Sequence, residues 1–296
     1  MSSSKRASRA MRVGVATSLL LLAVLCTGGA KATKQSILLQ STTSTQHSGF
    51  FEAVLPQFTQ ATGIEVRVVA VGTGQALRNA ADGNGDVVLV HARAAEEAFI
   101  AAGHGIARHP VMYNEFVIVG PVTDPADVRE ASSAIDALAR IHRTGASFIS
   151  RGDDSGTHKR ERALWQAADL TVDPASDSWY RDSGSGMGRT LRIAAELDAY
   201  TLCDRATWIA QADRGELAVL FAGDPALFNQ YSLILVDPRH HPHVRAQAGM
   251  AFIDWMLSDA GQAAIAGFHV NGEQLYFPNA GALDEPPRES GAKAAP

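Results

Sequence analysis

Cysteine and long apolar runs are both scarce in this chain of 296 residues. The two cysteines are Cys26 and Cys203, and only Cys203 lies beyond the N-terminal segment. A mature chain that begins after that segment therefore has one cysteine and no internal disulfide. The most apolar run, residues 13–25, is too short to span a bilayer comfortably.

The N-terminal segment has the composition of an export signal. Four basic residues precede the apolar run, and the small-residue triplet Ala30-Lys31-Ala32 follows it. This order predicts a secretory signal peptide over residues 1–32 and a periplasmic location for the mature protein. A lipid anchor on Cys26 is disfavoured because Leu25, the residue before it, is not small.

Basic residues are also in deficit. The whole chain has 26 basic and 31 acidic residues, a net charge of −5. Removal of residues 1–32 takes away five basic and no acidic residues, which brings the net charge to −10. Such a chain is a poor electrostatic match to nucleic acid or to an anionic membrane. Any anion that it binds must be held by local donors.

Apolar segments of strand and helix type alternate along the first part of the mature chain. Strands are predicted at 36–39, 64–71 and 86–90, and helices begin near Phe50, Gln75 and Ala94. Pro56 is expected to kink or break the first helix. The short connections indicate an α/β fold with a largely parallel sheet.

Two predicted strands mark crossings between two lobes. An apolar run at 116–120 leads outward, and a strand at 232–236 returns the chain. The predicted division is lobe 1 at 33–118 and 231–283, lobe 2 at 119–230, and a disordered tail at 284–296. Two crossings give a hinge, with a ligand in the cleft between the lobes.

Three turns share one layout, with a strand before them and a helix after them. They are residues 41–44, 72–74 and 151–157, and they are rich in glycine and hydroxyl side chains. Backbone N–H groups at such turns point toward one spot, where the positive end of the helix favours an anion. Each turn alone is commonly just a helix cap or a loop. Together, with the guanidinium of Arg151, they predict a site for a tetrahedral oxyanion.

The same turns carry a resemblance to a known family. The matching segments are Ser41-Thr42-Thr43-Ser44-Thr45, Val71-Gly72-Thr73-Gly74-Gln75-Ala76-Leu77, Asp86-Val87-Val88-Leu89-Val90-His91-Ala92, Ser150-Arg151-Gly152-Asp153-Asp154-Ser155-Gly156-Thr157-His158, Gly186-Met187-Gly188, Ala199-Tyr200-Thr201-Leu202 and Asp204-Arg205. With these segments the chain resembles the TupA family, the periplasmic tungstate-binding subunits of ABC transporters. The resemblance implies a two-lobed α/β binding-protein fold of class II, with two mixed sheets flanked by helices and a two-strand hinge. It also implies tungstate as ligand, a permease and its ATPase as partners, and neither cofactor nor enzymatic activity.

Carried over by position, the resemblance assigns six ligand-binding residues. Those on lobe 1 are Thr43, Ser44 and Thr73, and those on lobe 2 are Arg151, Ser155 and Thr157. The family pattern gives Arg151 the greatest weight. Three positions depart from that pattern: Ser41 replaces a threonine, His47 stands where an acid is expected, and Cys203 stands where a threonine is expected.

Other anions fit the same fold. Molybdate, phosphate and sulfate remain alternatives, because fold alone does not decide the ligand. A site for hydrogen phosphate needs an acceptor for the proton of the anion, and Asp153 or Asp154 is in a position to supply it.

Two alternatives of a different class have less support. Asp154-Ser155-Gly156 is similar to the surround of a serine protease nucleophile, with His91 as a possible base, but the alternating α/β pattern does not fit that fold. The cluster His240, His241 and His243 lacks the spacing of a zinc site on a helix and is expected to be a solvated turn. No bound metal cation is expected.

Overall fold

The computed structural model describes residues 35–281. The predicted signal peptide and the predicted disordered tail at 284–296 lie outside these residues. Within them, the strands are β1 Ser36–Thr42, β2 Glu65–Val71, β3 Val87–Val90, β4 Gly105–Pro121, β5 Phe148–Ser150, β6 Tyr180–Asp182, β7 Thr201–Asp204, β8 Leu217–Phe221, β9 Phe228–Val236, β10 His269–Val270, β11 Glu273–Gln274 and β12 Phe277–Pro278. The helices are α1 Thr43–His47, α2 Phe50–Thr62, α3 Thr73–Ala81, α4 Arg93–Ala101, α5 Ala134–Thr144, α6 Gly156–Ala167, α7 Met187–Glu196, α8 Arg205–Ala210, α9 Ala246–Leu257 and α10 Asp259–Ala266.

The main sheet is mixed. Its strand order is β12-β4-β9-β3-β1-β2, and β7 and β8 also pair with β4. Pairing is parallel where strand and helix alternate, in β1 with β2, β1 with β3, and β5 with β6. The pairs made by β4 and β9 are antiparallel. The expectation of a largely parallel sheet was therefore wrong, and the mixed pairing is the one that the family resemblance implies.

The long strand β4 connects two groups of strands. Its first part, through Glu115, pairs with β9, and its last part, from Phe116, pairs with β7 and β8. The strand β9 returns the chain and ends at Val236, beside β3 of the first group. Both β4 and β9 therefore run between the two groups. The fold is thus two-lobed α/β with helices flanking the sheets. The lobe boundaries after residues 118 and 230 stay predictions.

The core of the first group is built on the apolar face of α2. Phe50, Phe51, Val54, Leu55 and Phe58 of this helix are buried. The Phe58 ring packs edge-on against Phe252 of α9, with 5.1 Å between the ring centroids. Burying each such side chain contributes roughly 1.5–3 kcal/mol.

Pro56 lies inside α2 and does not break it, since the helix continues to Thr62. Pro56 itself is exposed. Leu55 before it and Phe58 after it are buried, and their packing holds the helix together across the missing N–H.

The second group has an aromatic core beneath β5. Phe148, Trp165 and Tyr180 are fully buried, and the Phe148 ring is stacked on that of Tyr180 with 5.8 Å between the centroids. Tyr200 is also buried, and its hydroxyl donates to Asp124 Oδ1 over 2.8 Å. In the range 35–281, the helices are all too short or too polar to cross a membrane.

Candidate anion-binding site

The first two predicted turns begin at the same edge of the sheet. The β1–β2 register places Thr42 opposite Val71, and the β1–β3 register places Gln40 opposite Val88. The strands are parallel, so their carboxyl ends and the helices that follow lie side by side. The Ser41 hydroxyl ties this edge together by donating to Leu89 O over 2.8 Å.

The first turn is closed by hydroxyl groups. Thr42 is the N-cap of α1, and its Oγ1 accepts from Thr45 N over 3.5 Å. The same oxygen lies 2.8 Å from Thr45 Oγ1 and 3.2 Å from Ser44 Oγ. Ser44 is therefore buried within a hydroxyl cluster, and Thr43 is half-buried as the first residue of α1.

The second turn starts α3 without a side-chain cap at Gly72. Thr73 is fully buried, and its Oγ1 has no hydrogen-bond partner among residues 35–281. The Gly74 N–H donates to Asp154 O over 3.4 Å. A Cβ on Gly74 would lie 1.8 Å from Asp154 Oδ2, so a larger residue would displace this side chain. The start of α3 is therefore in direct contact with the third turn.

The third turn depends on two left-handed residues. Gly152 has φ +59°, and Asp154 has φ +57°. A Cβ on Gly152 would lie 2.6 Å from Asp182 Cβ, which makes glycine necessary on two grounds. The turn buries Arg151 to 3% exposure. Its Nη2 donates to Asp153 Oδ2 over 2.5 Å, while its Nε has no partner in the part of the chain that the structure describes.

The third turn leads directly into α6. Ser155 is the N-cap of this helix, and its Oγ accepts from His158 N over 3.2 Å. Thr157 is fully buried, and its Oγ1 is also without a partner within residues 35–281. Gly156 faces lobe 1, because a Cβ on it would lie 2.7 Å from the His91 ring.

Three buried polar atoms without partners among residues 35–281 lie on the segments that meet at this contact between the lobes. They are Thr73 Oγ1, Arg151 Nε and Thr157 Oγ1, and they come from α3, from the turn after β5 and from α6. A buried donor without a partner costs about 1–3 kcal/mol. Proteins keep such groups where they have a role. This arrangement supplies two hydroxyls and a guanidinium edge to a bound group that accepts hydrogen bonds.

His91 lies at the centre of the contact between the lobes. It follows β3, its Nδ1 lies 3.0 Å from Asn229 Oδ1 of β9, and its ring stacks on Tyr231 at 4.6 Å. Burial lowers the pKa of His91 from 6.5 to about 4, with smaller contributions from Arg151 and Arg160. Asp204 and the Asn229 bond oppose this shift. The ring is neutral at pH 7. The sequence presented His91 within a matching motif but gave it no role at the site.

Glu161 of α6 is a buried acid that contacts the aromatic core. It is 1% exposed, and its Oε1 accepts from Tyr180 Oη over 2.6 Å and from Trp165 Nε1 over 3.2 Å. Burial raises its pKa from 4.5 to about 7, although these hydrogen bonds lower it. A polar residue in the middle of a helix gave no signal in the sequence that it would be buried.

His47 and Cys203 are two of the positions that depart from the family pattern. His47 is exposed at the end of α1 and lines a pocket of about 460 Å³ with Arg189 and Arg192. Cys203 is fully buried, and burial raises the pKa of its thiol well above the usual value.

The histidine cluster forms bonds to the backbone. His241 Nε2 donates to Ala81 O and His243 Nε2 to Gly83 O, each over 2.8 Å. Within residues 35–281, no group of three or more histidine, cysteine or acidic side chains is arranged to hold a metal ion.

Comparison with known proteins agrees with the fold. Residues 27–260 match the family described as a PBP superfamily domain. The chain is 44% identical over 284 residues to the tungstate-binding protein TupA of Peptoclostridium acidaminophilum, which covers 90% of this chain and 98% of that protein.

Two solved structures are similar as well. The tungstate-binding protein TupA from Desulfovibrio alaskensis G20 has a TM-score of 0.73 and 44% identity, covering 83% of this chain and 99% of that one. The tungstate ABC transporter from Geobacter sulfurreducens has a TM-score of 0.72 and 43% identity, covering 79% and 98%. These similarities confirm the resemblance that the motifs carry. The chain belongs to the TupA family, within the PBP superfamily.

Proposed function

We propose that this protein is the periplasmic substrate-binding subunit of an ABC transporter and that it captures tungstate between its lobes. The chain is a binding protein and not an enzyme. Ser155, the nucleophile of the hydrolase alternative, caps α6, and His91 is held by Asn229 instead of by a serine. After capture, the closed protein delivers the anion to the permease, and the ATPase drives transport.

The observation that carries the proposal is the group of three unpartnered buried polar atoms. Thr73 Oγ1, Arg151 Nε and Thr157 Oγ1 are available to a ligand that brings only acceptors. A tetrahedral oxyanion is such a ligand, and it regains from these donors part of the solvation that it loses on leaving water. The further proposed contacts are Thr43 and Ser44 in the first turn of α1 and Ser155 at the N-cap of α6.

Calorimetry of the mature protein tests this function. We expect tight binding of tungstate, with molybdate, sulfate and phosphate as the comparison anions in separate titrations. Molybdate is the nearest competitor because it is almost the same size and carries the same charge. Failure of tungstate to bind, with any of the other three binding tightly, would contradict the assignment.

Arg151 variants locate the site. Arg151→Ala should weaken tungstate binding by a few kcal/mol, because a buried dianion loses its charged partner. Arg151→Lys should also bind less well, since an ammonium group does not reproduce the fixed fork of donors. If these variants bind tungstate as tightly as the parent protein, Arg151 is not part of the site.

A further inference from the structure

Asp153 lies next to Arg151, and both oxygens of its carboxylate are engaged. Oδ2 accepts from Arg151 Nη2 over 2.5 Å, and Oδ1 accepts from Ser155 N over 3.2 Å. The carboxylate therefore holds one edge of the guanidinium and joins it to the first residues of α6. Because the guanidinium is planar, fixing this edge also fixes the direction of Nε, the buried donor that has no partner within residues 35–281.

The neighbouring carboxylates are engaged elsewhere. Asp154 is exposed and forms ion pairs with Lys159 and, over 3.4 Å, with Arg78. Asp204 is fully buried, with Oδ1 accepting from Thr207 N over 2.8 Å and Oδ2 from Thr207 Oγ1 over 2.7 Å. Asp154 and Asp204 thus spend their oxygens on donors of the protein, and Asp182, which lies beside Gly152, is exposed.

We propose that Asp153 is a positioning residue for Arg151 and that, with its carboxylate so engaged, the site selects tetrahedral dianions that carry no proton. Tungstate, sulfate and selenate are fully deprotonated at neutral pH. Hydrogen phosphate and hydrogen arsenate each keep a proton that needs an acceptor. This inference rests on the proposed function, and it assigns to Asp153 the opposite of a proton-accepting role.

Asp153→Asn separates positioning from simple electrostatics. Removing a negative charge beside a bound dianion should strengthen binding by Coulomb's law alone. Positioning predicts the reverse, because the amide presents an N–H₂ group to one of two donors and releases the guanidinium. We expect the dissociation constant for tungstate to rise about ten- to a hundredfold. Binding that equals or exceeds that of the parent protein would overturn the inference.

Asp154→Asn is the matched control. It removes the same charge from the adjacent residue, asparagine tolerates the left-handed backbone there, and the side chain faces Lys159 and Arg78 at the surface. We expect less than a threefold change in tungstate binding. An Asp154→Asn loss as large as that of Asp153→Asn would also overturn the inference. If the parent protein does not bind tungstate at all, the proposed function fails instead, so the two failures are distinct.

Size-matched anions test selection in the unaltered protein, whether or not the variants fold. Selenate and arsenate are tetrahedral and of nearly equal size, but only arsenate carries a proton at neutral pH. We expect selenate to displace tungstate at a concentration at least tenfold below that needed with arsenate. Equal displacement of tungstate by selenate and arsenate, or no displacement by either, would show that the size of the anion decides its binding and that its proton does not. Stronger displacement by arsenate, lost in Asp153→Asn, would make Asp153 a proton acceptor. Either result would overturn the inference.

Discussion

Valine in place of Thr157 should make the ligand-free protein more stable and its complex with tungstate weaker. Thr157 is fully buried in the first turn of α6, and its hydroxyl has no partner among residues 35–281. Valine has nearly the same shape and removes only the hydroxyl. A buried polar group without a partner costs about 1–3 kcal/mol, and the substitution recovers this cost. For a domain of this size, each kcal/mol raises the melting temperature by roughly 2–4 °C.

Thr190→Val is the matched control, with the opposite expected sign. Thr190 is equally buried on α7, but its Oγ1 lies 2.7 Å from Ser183 Oγ and 3.3 Å from Ser185 O. Its loss should lower the stability of the ligand-free protein by about 1–2 kcal/mol.

Thermal unfolding without ligand, followed by calorimetry with tungstate, measures both halves of the prediction. We expect Thr157→Val to melt at a higher temperature and to bind tungstate about five- to tenfold more weakly. A variant that loses stability as Thr190→Val does would show that the Thr157 hydroxyl has a partner inside the protein. Unchanged affinity would show that this hydroxyl does not reach the anion.

Three further predictions concern the surroundings of the site. The pKa of His91 lies below its ordinary value, so its contribution to stability is present above pH 6.5 and falls by about 2 kcal/mol as the pH drops to 5. In denaturant titrations, the free energy of unfolding of His91→Asn should not show this part of the decline as the pH falls. The pKa of Glu161 lies above its ordinary value, so stability is lost as the pH rises from 4.5 to 7. Glu161→Gln should therefore gain about 3 kcal/mol over the parent between pH 4.5 and pH 8, and parallel curves would contradict this. Gly156→Ala places a methyl group 2.7 Å from the stacked His91 ring and should weaken tungstate binding at least tenfold in calorimetry while the protein stays folded.

Local patterns predicted the elements that bury an apolar face. The apolar run 217–221 forms β8, and Asp204 and Ser258, side chains of a type that favours N-caps, cap α8 and α10. In these segments, local propensity and burial point to the same structure. The helix α2 begins at Phe50, where the pattern indicates, with Gly49 in the left-handed region as its N-cap.

The sequence indicated the two strands between the lobes only in part. The pattern indicated residues 116–120 of β4, but the strand begins at Gly105 and includes Arg108, His109 and Asn114. These side chains hide the apolar alternation that marks a strand. Asn114 is buried all the same, because its Oδ1 accepts from Asn229 Nδ2 of β9. Such a pairing depends on a strand more than a hundred residues away, and no local window contains it.

At the site, the motifs identified residues but not their partners. The turns after strands predicted an anion site, and the six residues in them were named from the family resemblance. That Asp153 is engaged by Arg151 and Ser155 was not predictable, since two adjacent aspartates look alike in sequence. The structure separates them through backbone conformation: the left-handed Asp154 turns its side chain to Lys159, whereas Asp153 stays beside the guanidinium.

The acidic net charge of the chain does not prevent it from binding an anion, because surface charges and the buried donors of the site act on the ligand over different distances. The predicted mature chain has a net charge of −10, and at physiological ionic strength charges are largely screened beyond about 8 Å. The donors at the site are buried and meet the ligand directly, where screening is weak. We therefore expect added salt to change the association rate of tungstate far more than its dissociation rate. Stopped-flow measurements over a range of salt concentrations separate the two. A dissociation rate that rises steeply with salt would place the bound anion at the surface, outside the contact between Thr73, Arg151 and Thr157.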